Sequence, residues 1–210
     1  MTSKFPGASG PVLIPAPREA LCLDYADTRY WRGSETPTES LHSLEDVLAW
    51  CSKSGALGSR NVDTVAAWWG DHPRQAAIAF EEAIVLREAI YRIFSTGAAG
   101  GAPSQSDVDK LNGALARAPG RHRLHRVRGG YAWQVDRLKP DASHLLAPVL
   151  WSAGDLLVGP RLAKVRACAN EKCQWLFLDD SKSGTRRWCS MSMCGNRAKA
   201  HRHYVRQKKG

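Results

Sequence analysis

Cys168-Ala-Asn-Glu-Lys-Cys173 and, after a spacer of fifteen residues, Cys189-Ser-Met-Ser-Met-Cys194-Gly-Asn-Arg197 decide the reading of this chain. Both pairs hold four residues between their sulfurs, and the spacer carries the polar turn Asp179-Asp180-Ser181-Lys182-Ser183-Gly184. Repeated spacing of this kind predicts one site built from two turns. Four thiolates satisfy Zn²⁺ in a tetrahedron, because the d¹⁰ ion imposes no geometry of its own. With Cys168, Cys173, Cys189 and Cys194 as ligands, no position stays open for substrate or water, so the zinc is structural. Its binding free energy then counts as folding free energy.

Two disulfides or four unrelated thiols are the alternatives, with redox or iron–sulfur use as a further one. A disulfide framework suits small secreted chains, whereas Met1-Thr2-Ser3-Lys4-Phe5-Pro6-Gly7 offers no apolar run of the kind a signal peptide needs. Cys22 and Cys51 stand alone in apolar surroundings and read as small buried hydrophobes. His201 and His203 are outranked as ligands, since four cysteines already complete the tetrahedron.

At Cys168, Cys173, Phe177-Leu178-Asp179, Arg186-Arg187-Trp188-Cys189-Ser190-Met191 and Cys194-Gly195-Asn196-Arg197-Ala198-Lys199 the chain closely resembles the CGNR zinc finger, a bacterial module. The resemblance implies an N-terminal ABATE-like domain, described as a stress-induced transcription regulator, and implies DNA binding. The segment Leu21-Cys22-Leu23-Asp24-Tyr25-Ala26-Asp27-Thr28 is similar to the opening of that domain, with Asp27 where the family pattern carries Asn. An ionised Asp side chain cannot donate a hydrogen bond as Asn does. Ala147-Pro148, Ser152-Ala153 and Leu156-Leu157 likewise resemble the family's helix before the finger.

The charge is distributed accordingly. From Pro160 to Gly210 thirteen Lys or Arg face three acids, which accounts for the whole formal charge of +10; the residues before Pro160 hold seventeen of each sign. A positive excess confined to one module is the footprint of a piece that meets phosphate. The length suits one domain of about 150 residues plus a small module. No apolar run approaches the roughly twenty residues needed to span a bilayer, so a soluble, cytoplasmic protein without membrane contact is expected.

Along the chain, four prolines before Arg18 predict a flexible arm over 1–18, with one extended piece at Val12-Leu13-Ile14. A helix over Leu44–Ser52 is capped by Ser43, with Asp46 in the acidic place of a capping box. A short helix over Asn61–Trp69 precedes the longest one, about Arg74–Ser95. There Ile78, Val85, Ala89 and Ile93 line one face, widened by Phe80, Ile84, Leu86 and Ile90. Another helix runs from Asp107 to Ala116. Period-two alternation over Arg121–Val135 predicts two strands joined at Gly129-Gly130. The last helix opens at Asp141 and is bent by Pro148. In the finger, Gln174–Leu178 and Thr185–Trp188 predict a hairpin between the cysteine turns, and a basic helix runs from Arg197 to Lys208, an order that resembles treble-clef fingers. The fold class is therefore mainly α with a small β-hairpin: a helical regulatory domain over 19–159 and a four-cysteine, treble-clef-like finger over 160–210.

The expected function is a DNA-binding transcription regulator. Arg186, Arg187, Lys199, Arg202 and Arg206 are its candidate phosphate contacts, and Asn196 and Arg197 either read bases or, through Asn196, cap the helix. Trp175 and Trp188 form the finger's small core. A finger this short reads few bases, so specificity calls for a homodimer. A small-molecule pocket lined by Asp24, Asp27, Thr28, Trp31 and Arg87 is the candidate sensor, with an Asp24–Arg87 ion pair as the ordinary alternative. The competing class is an RNA-binding or protein-interaction module using the same finger. No phosphate-cradling Gly loop, nucleophile elbow or His-Glu-x-x-His motif points to an enzyme.

Overall fold

The computed structural model describes residues 12–200 and Tyr204. Residues 1–11 of the expected arm lie outside the described residues. Strand β1 (Val12–Pro15) contains the extended piece expected at Val12-Leu13-Ile14, but it is no loose part of an arm. It is instead the edge of a three-stranded antiparallel sheet in the order β1-β5-β4, with Ile14 opposite Trp133 and Val12 opposite Val135. The alternation of Val12 and Ile14 places both side chains in the core, and that burial is what holds the segment.

Helix α1 (Leu21–Ala26) follows, then the short strands β2 (Arg29–Tyr30) and β3 (Thr38–Glu39), which pair with one another. Helix α2 (Leu44–Lys53) begins with the expected capping box: the Ser43 hydroxyl accepts from the Asp46 backbone N–H and the Asp46 carboxylate accepts from the Ser43 N–H. Helix α3 spans Ser59–Gly70, and α4 (Pro73–Ala98) starts on a proline whose missing N–H would be unpaired there in any case.

The buried face of α4 keeps Leu86, Ala89, Ile90 and Ile93 of the expected set, with Phe80 and Ile84 half-buried against the core, and departs from it at Ile78 and Val85. Ala79, Ala83, Leu86, Ile90, Ile93 and Phe94 point inward, while Ile78 is 58% and Val85 48% exposed. The small side chains decide this. Ala79 and Ala83 let α1 lie close, and the Tyr25 hydroxyl donates to the Ala83 carbonyl at 2.8 Å. Reading bulk alone places the face one residue too early at those positions.

Helix α5 (Gln105–Arg117) is capped by Ser104. Strands β4 (Arg123–Val127) and β5 (Gly130–Val135) form the predicted hairpin, with Arg126 opposite Tyr131 and Leu124 opposite Trp133. The turn residues are Arg128 and Gly129 rather than Gly129 and Gly130, because Val127 and Gly130 already pair; Gly129 supplies the left-handed φ of +86°. The final helical stretch is two helices, α6 (Ala142–Leu145) and α7 (Ala147–Val158). Pro148 lies in the first turn of α7, so it starts that helix and bends none. Buried Ser152 ties α7 to α1: its hydroxyl donates to the Glu19 carbonyl and accepts from the Cys22 N–H. Cys22 and Cys51 are fully buried as expected, and burial pushes each thiol up to about 12.

A 3-10 turn (Pro160–Lys164) leads into β6 (Val165–Ala167), which pairs antiparallel with β7 (Leu176–Leu178). The hairpin of the finger is thus β6–β7, wrapped around the first cysteine turn, and not the predicted pairing of 174–178 with 185–188. Its inward side chains Val165, Leu176 and Leu178 belong to the same core as the helices, and α4 and α1 pack against it.

Candidate metal centre and nucleic-acid interface

The first cysteine pair sits on the β6–β7 hairpin. The Cys168 N–H donates to the Trp175 carbonyl at 2.8 Å, and Asn170 organises the turn between the sulfurs: its carbonyl accepts from Cys173 N and its side-chain oxygen from Lys172 N. Gln174 adopts a left-handed φ of +55° to bring the chain back into β7. Of the second pair, Cys189 lies just before a wide helical turn, Met191–Gly195, and Cys194 lies on it; the start of the turn is capped by the Ser190 hydroxyl accepting from Met193 N. Helical residues 196–200 continue from it. At Gly195 a Cβ would fall 2.6 Å from the Met191 sulfur, so a larger residue there must push the Met191 side chain off its place.

Three further contacts join the two turns. Ala169 N–H donates to the Arg187 carbonyl, the Asn170 amide approaches the Cys194 sulfur at 3.5 Å, and Arg186 donates to the carbonyls of Trp188 and Cys189 while lying over the Phe177 ring. Buried Asp179 holds the intervening polar turn by accepting from Ser181 N, Ser181 Oγ and Arg186 N.

The four Sγ atoms of Cys168, Cys173, Cys189 and Cys194 all lie within 4.8 Å of one another. Two of the separations, Cys173–Cys189 and Cys189–Cys194, are 3.8 Å. That is the edge of a tetrahedron about 3.8 Å wide generated by Zn–S bonds of ~2.3 Å. The donor chemistry agrees. Burial pushes the Cys173 thiol up to about 12 and, with its thiol neighbours, drives Cys189 higher still, whereas for Cys168 burial is outweighed by hydrogen bonds from the Cys189 and Asn170 backbone, which lower its pKa. Four thiolates this close repel one another, and a shared cation relieves that repulsion. The residues therefore fit a structural zinc whose shell is closed by protein, with Asn170 and the neighbouring backbone as its outer support. His201 and His203 lie outside the described residues.

Of the expected nucleic-acid contacts, Arg187, Asn196, Arg197 and Lys199 carry varying exposure at the surface of the finger. Arg186 is exposed at its edge, yet its guanidinium is engaged in bracing the second cysteine turn. Asn196 sits inside the helix and reaches back toward the Ser192 carbonyl, so the cap is Ser190 and not Asn196. Arg202 and Arg206, and the rest of the helix expected to reach Lys208, lie outside the described residues. Trp175 and Trp188 pack against the cysteine cluster as expected.

The five side chains expected to line a small-molecule pocket instead hold the chain together. Asp24 pairs with Arg18 at 2.9 Å and not with Arg87. Arg87, only 1% exposed, makes a bidentate pair with Glu39 at 2.6 and 2.7 Å and also meets Glu88 and Thr28. Thr28 donates to the Tyr25 carbonyl. Asp27 is 1% exposed and both its oxygens accept from the Leu176 N–H of β7, at 3.0 and 3.1 Å. Trp31, at a left-handed φ of +52°, joins the aromatic cluster around the cysteines and carries Arg197 over its ring at 4.6 Å.

Sequence reasoning missed this docking surface. Besides Asp27 and Trp31 it comprises Gly33, whose N–H donates to the Lys172 carbonyl; Tyr91, whose hydroxyl donates to the Gln174 carbonyl; and Tyr30, whose ring lies 5.3 Å from that of Trp175. A Cβ on Gly33 would fall 1.8 Å from the Glu171 carbonyl oxygen, so the loop approaches the first cysteine turn as closely as glycine allows. The only available signal was the polar, Gly- and Pro-containing loop around Trp31, and nothing in its spacing points to a partner more than a hundred residues away.

Fold and site together define a class: a helical domain with a structural four-cysteine zinc finger of treble-clef type docked on it. The chain belongs to the ABATE family. That family's model, described as "Putative stress-induced transcription regulator", matches residues 19–160, and the CGNR zinc finger model matches residues 164–207. These are regulator and zinc-finger families, not enzyme families. No curated protein matches the chain. Among the described residues no helix is long and apolar enough to cross a membrane.

Proposed function

We propose that this protein is a transcription regulator that binds double-stranded DNA through its finger, and that its N-terminal domain senses a small ligand or dimerises. The observation that carries the reading is the placement of charge on a rigid scaffold. The entire net positive charge lies beyond Pro160, and Arg187, Arg197 and Lys199 are exposed around a cysteine cluster whose other flank is fixed on the helical domain. Phosphate contact by these cations supplies affinity and orientation, while Asn196 and Arg197 are the side chains chemically suited to base edges. Arg202 and Arg206 extend the same basic run. Arg186 contributes by holding the second cysteine turn. The zinc centre acts through stiffness: with both turns locked, the cations are presented without a large ordering cost on binding.

The test is selection of enriched sequences from random duplexes, structured RNA and single strands by the zinc-loaded protein near physiological salt. An enriched duplex motif, lost in Cys194→Ser, supports the reading. Arg187→Ala and Lys199→Ala should each reduce the slope of log K against log salt by about one. Salt-sensitive binding without a motif, or a preference for RNA, removes sequence-specific DNA recognition and leaves the finger as a general polyanion or partner surface.

A further inference from the structure

A cavity of about 510 Å³ lies between the C-terminal end of α5, strands β4 and β5, and the loop from Asp136 to Lys139. Its volume falls within the span of ~300–1,000 Å³ typical of small-molecule sites. Arg117, Arg123, Arg137 and Lys139 line it, against one acid, Asp136. Among the described residues none of these four cations makes an ion pair, whereas Arg87, Arg92, Arg121 and Arg161 each hold a carboxylate. All four are exposed, and an anion shared between them would replace their mutual repulsion with attraction.

The second observation is His144 of α6, which also lines the cavity. It is 6% exposed, and its Nδ1 has no hydrogen-bond partner among the described residues. Nδ1 is itself enclosed, so it is the rest of the ring, and not this nitrogen, that borders the cavity. Burial, reinforced by Lys139 and Arg137 and opposed by Asp141, lowers the pKa of this imidazole. At the rim, His122 folds over Gly120 in the space a Cβ would take. The alternation of β4 turns Arg123 toward the cavity and Arg126 to the other face.

We propose that this cavity binds a small anion carrying at least two negative charges, a phosphorylated or polycarboxylate metabolite, with Arg117, Arg123, Arg137 and Lys139 as its countercharges and the His144 ring along its wall. A concavity of about 510 Å³ matches a small ligand, whereas a duplex backbone would meet only its rim, which favours a small ligand over nucleic acid. The inference specifies the ligand-sensing half of the function proposed above and rests on that reading for its regulatory consequence.

The test is calorimetric titration of the full-length zinc-loaded protein, at fixed ionic strength and without DNA, with pyrophosphate and with citrate to separate the two anion chemistries. One saturable site for either probe is expected. Arg123→Ala/Arg137→Ala should weaken it roughly tenfold or more, the scale of lost charge-assisted hydrogen bonds, while Arg126→Ala leaves it unchanged and the His144 ring resonances shift on binding. Saturation by neither probe overturns the proposal. So does an Arg126→Ala effect as large as that of the double variant, which would mean diffuse attraction, or displacement of the probe by a short duplex. Because DNA is absent from the titration, its failure leaves the finger reading standing, and a failed duplex selection leaves the isotherm standing.

Discussion

Asp27→Asn separates the two things Asp27 does at the junction of helical domain and finger. In the folded chain the carboxylate is 1% exposed and accepts the Leu176 N–H through both oxygens. Burial raises its pKa well above the ordinary carboxylate value of 3.8; the Leu176 hydrogen bond and Arg32 oppose the shift, and Asp24 and Cys168 add to it. An Asn carbonyl accepts the same N–H and carries no charge to desolvate. An Ala accepts nothing and strands a buried backbone donor, at a cost of about 1–3 kcal/mol. The Asn variant should therefore exceed the Ala variant by that amount at every pH.

Against the wild type the difference must depend on pH. A carboxyl whose folded pKa is raised binds more protons folded than unfolded, so its contribution is complete below about 3.8 and declines as pH rises through the folded value. The advantage of Asp27→Asn should accordingly be small near pH 4, grow with rising pH, and level off above the raised pKa. Urea unfolding of the zinc-loaded protein at several pH values reads all three forms, and hydrogen exchange at Leu176 reports the contact directly. A constant offset between Asn and Asp at all pH values, or an Ala variant as stable as the Asn one, would refute the assigned contact.

Arg87→Met removes one partner of a buried pair and leaves Glu39 uncompensated; a loss of about 3 kcal/mol is expected in chemical denaturation, the low end for such pairs because the Glu39 side chain keeps 30% exposure. The Arg87 hydrogen bonds prevail over burial and hold the Glu39 carboxyl down at about 2, so its stabilisation is present above about 4.5 and lost as pH falls toward 2; Glu39→Gln should flatten the acid limb of the stability curve over that window. Gly33→Ala should lower stability by about 1–3 kcal/mol, because the clash at 1.8 Å is with backbone that has no free end to swing aside; an unchanged melting temperature would contradict the close approach. Chelation should release one zinc per chain and change the near-ultraviolet signal of Trp31, Trp175 and Trp188 together, since all three pack on the cysteine cluster; a change confined to the finger's own two tryptophans would show that the helical domain is not coupled to the metal.

Much of this protein could be read from residues that interact with close neighbours in the chain. The cysteine spacing identified the metal centre, because each turn that presents two sulfurs is built from six consecutive residues. Ser43 with Asp46 marked a helix start because capping is settled within one turn. The β4–β5 hairpin followed from period-two alternation, and even its turn was displaced by one residue only. The basic run beyond Pro160 needed no structure at all.

Contacts between distant segments lay beyond that reading. Which face of α4 is buried depended on α1 needing two alanines to approach closely, a steric fact that bulk along one helix cannot reveal. Whether β7 pairs with the strand before Cys168 or the segment after the polar turn was a choice between two plausible partners. Tertiary structure also turned Asp27, Arg87 and Trp31 from apparent ligand contacts into a structural lock, and gathered Arg117, Arg123, Arg137 and Lys139 from three separate elements around His144. Local geometry is fixed by a handful of dihedrals and short-range hydrogen bonds, so sequence determines it alone; shared cores and converging charges exist only once the chain has closed on itself.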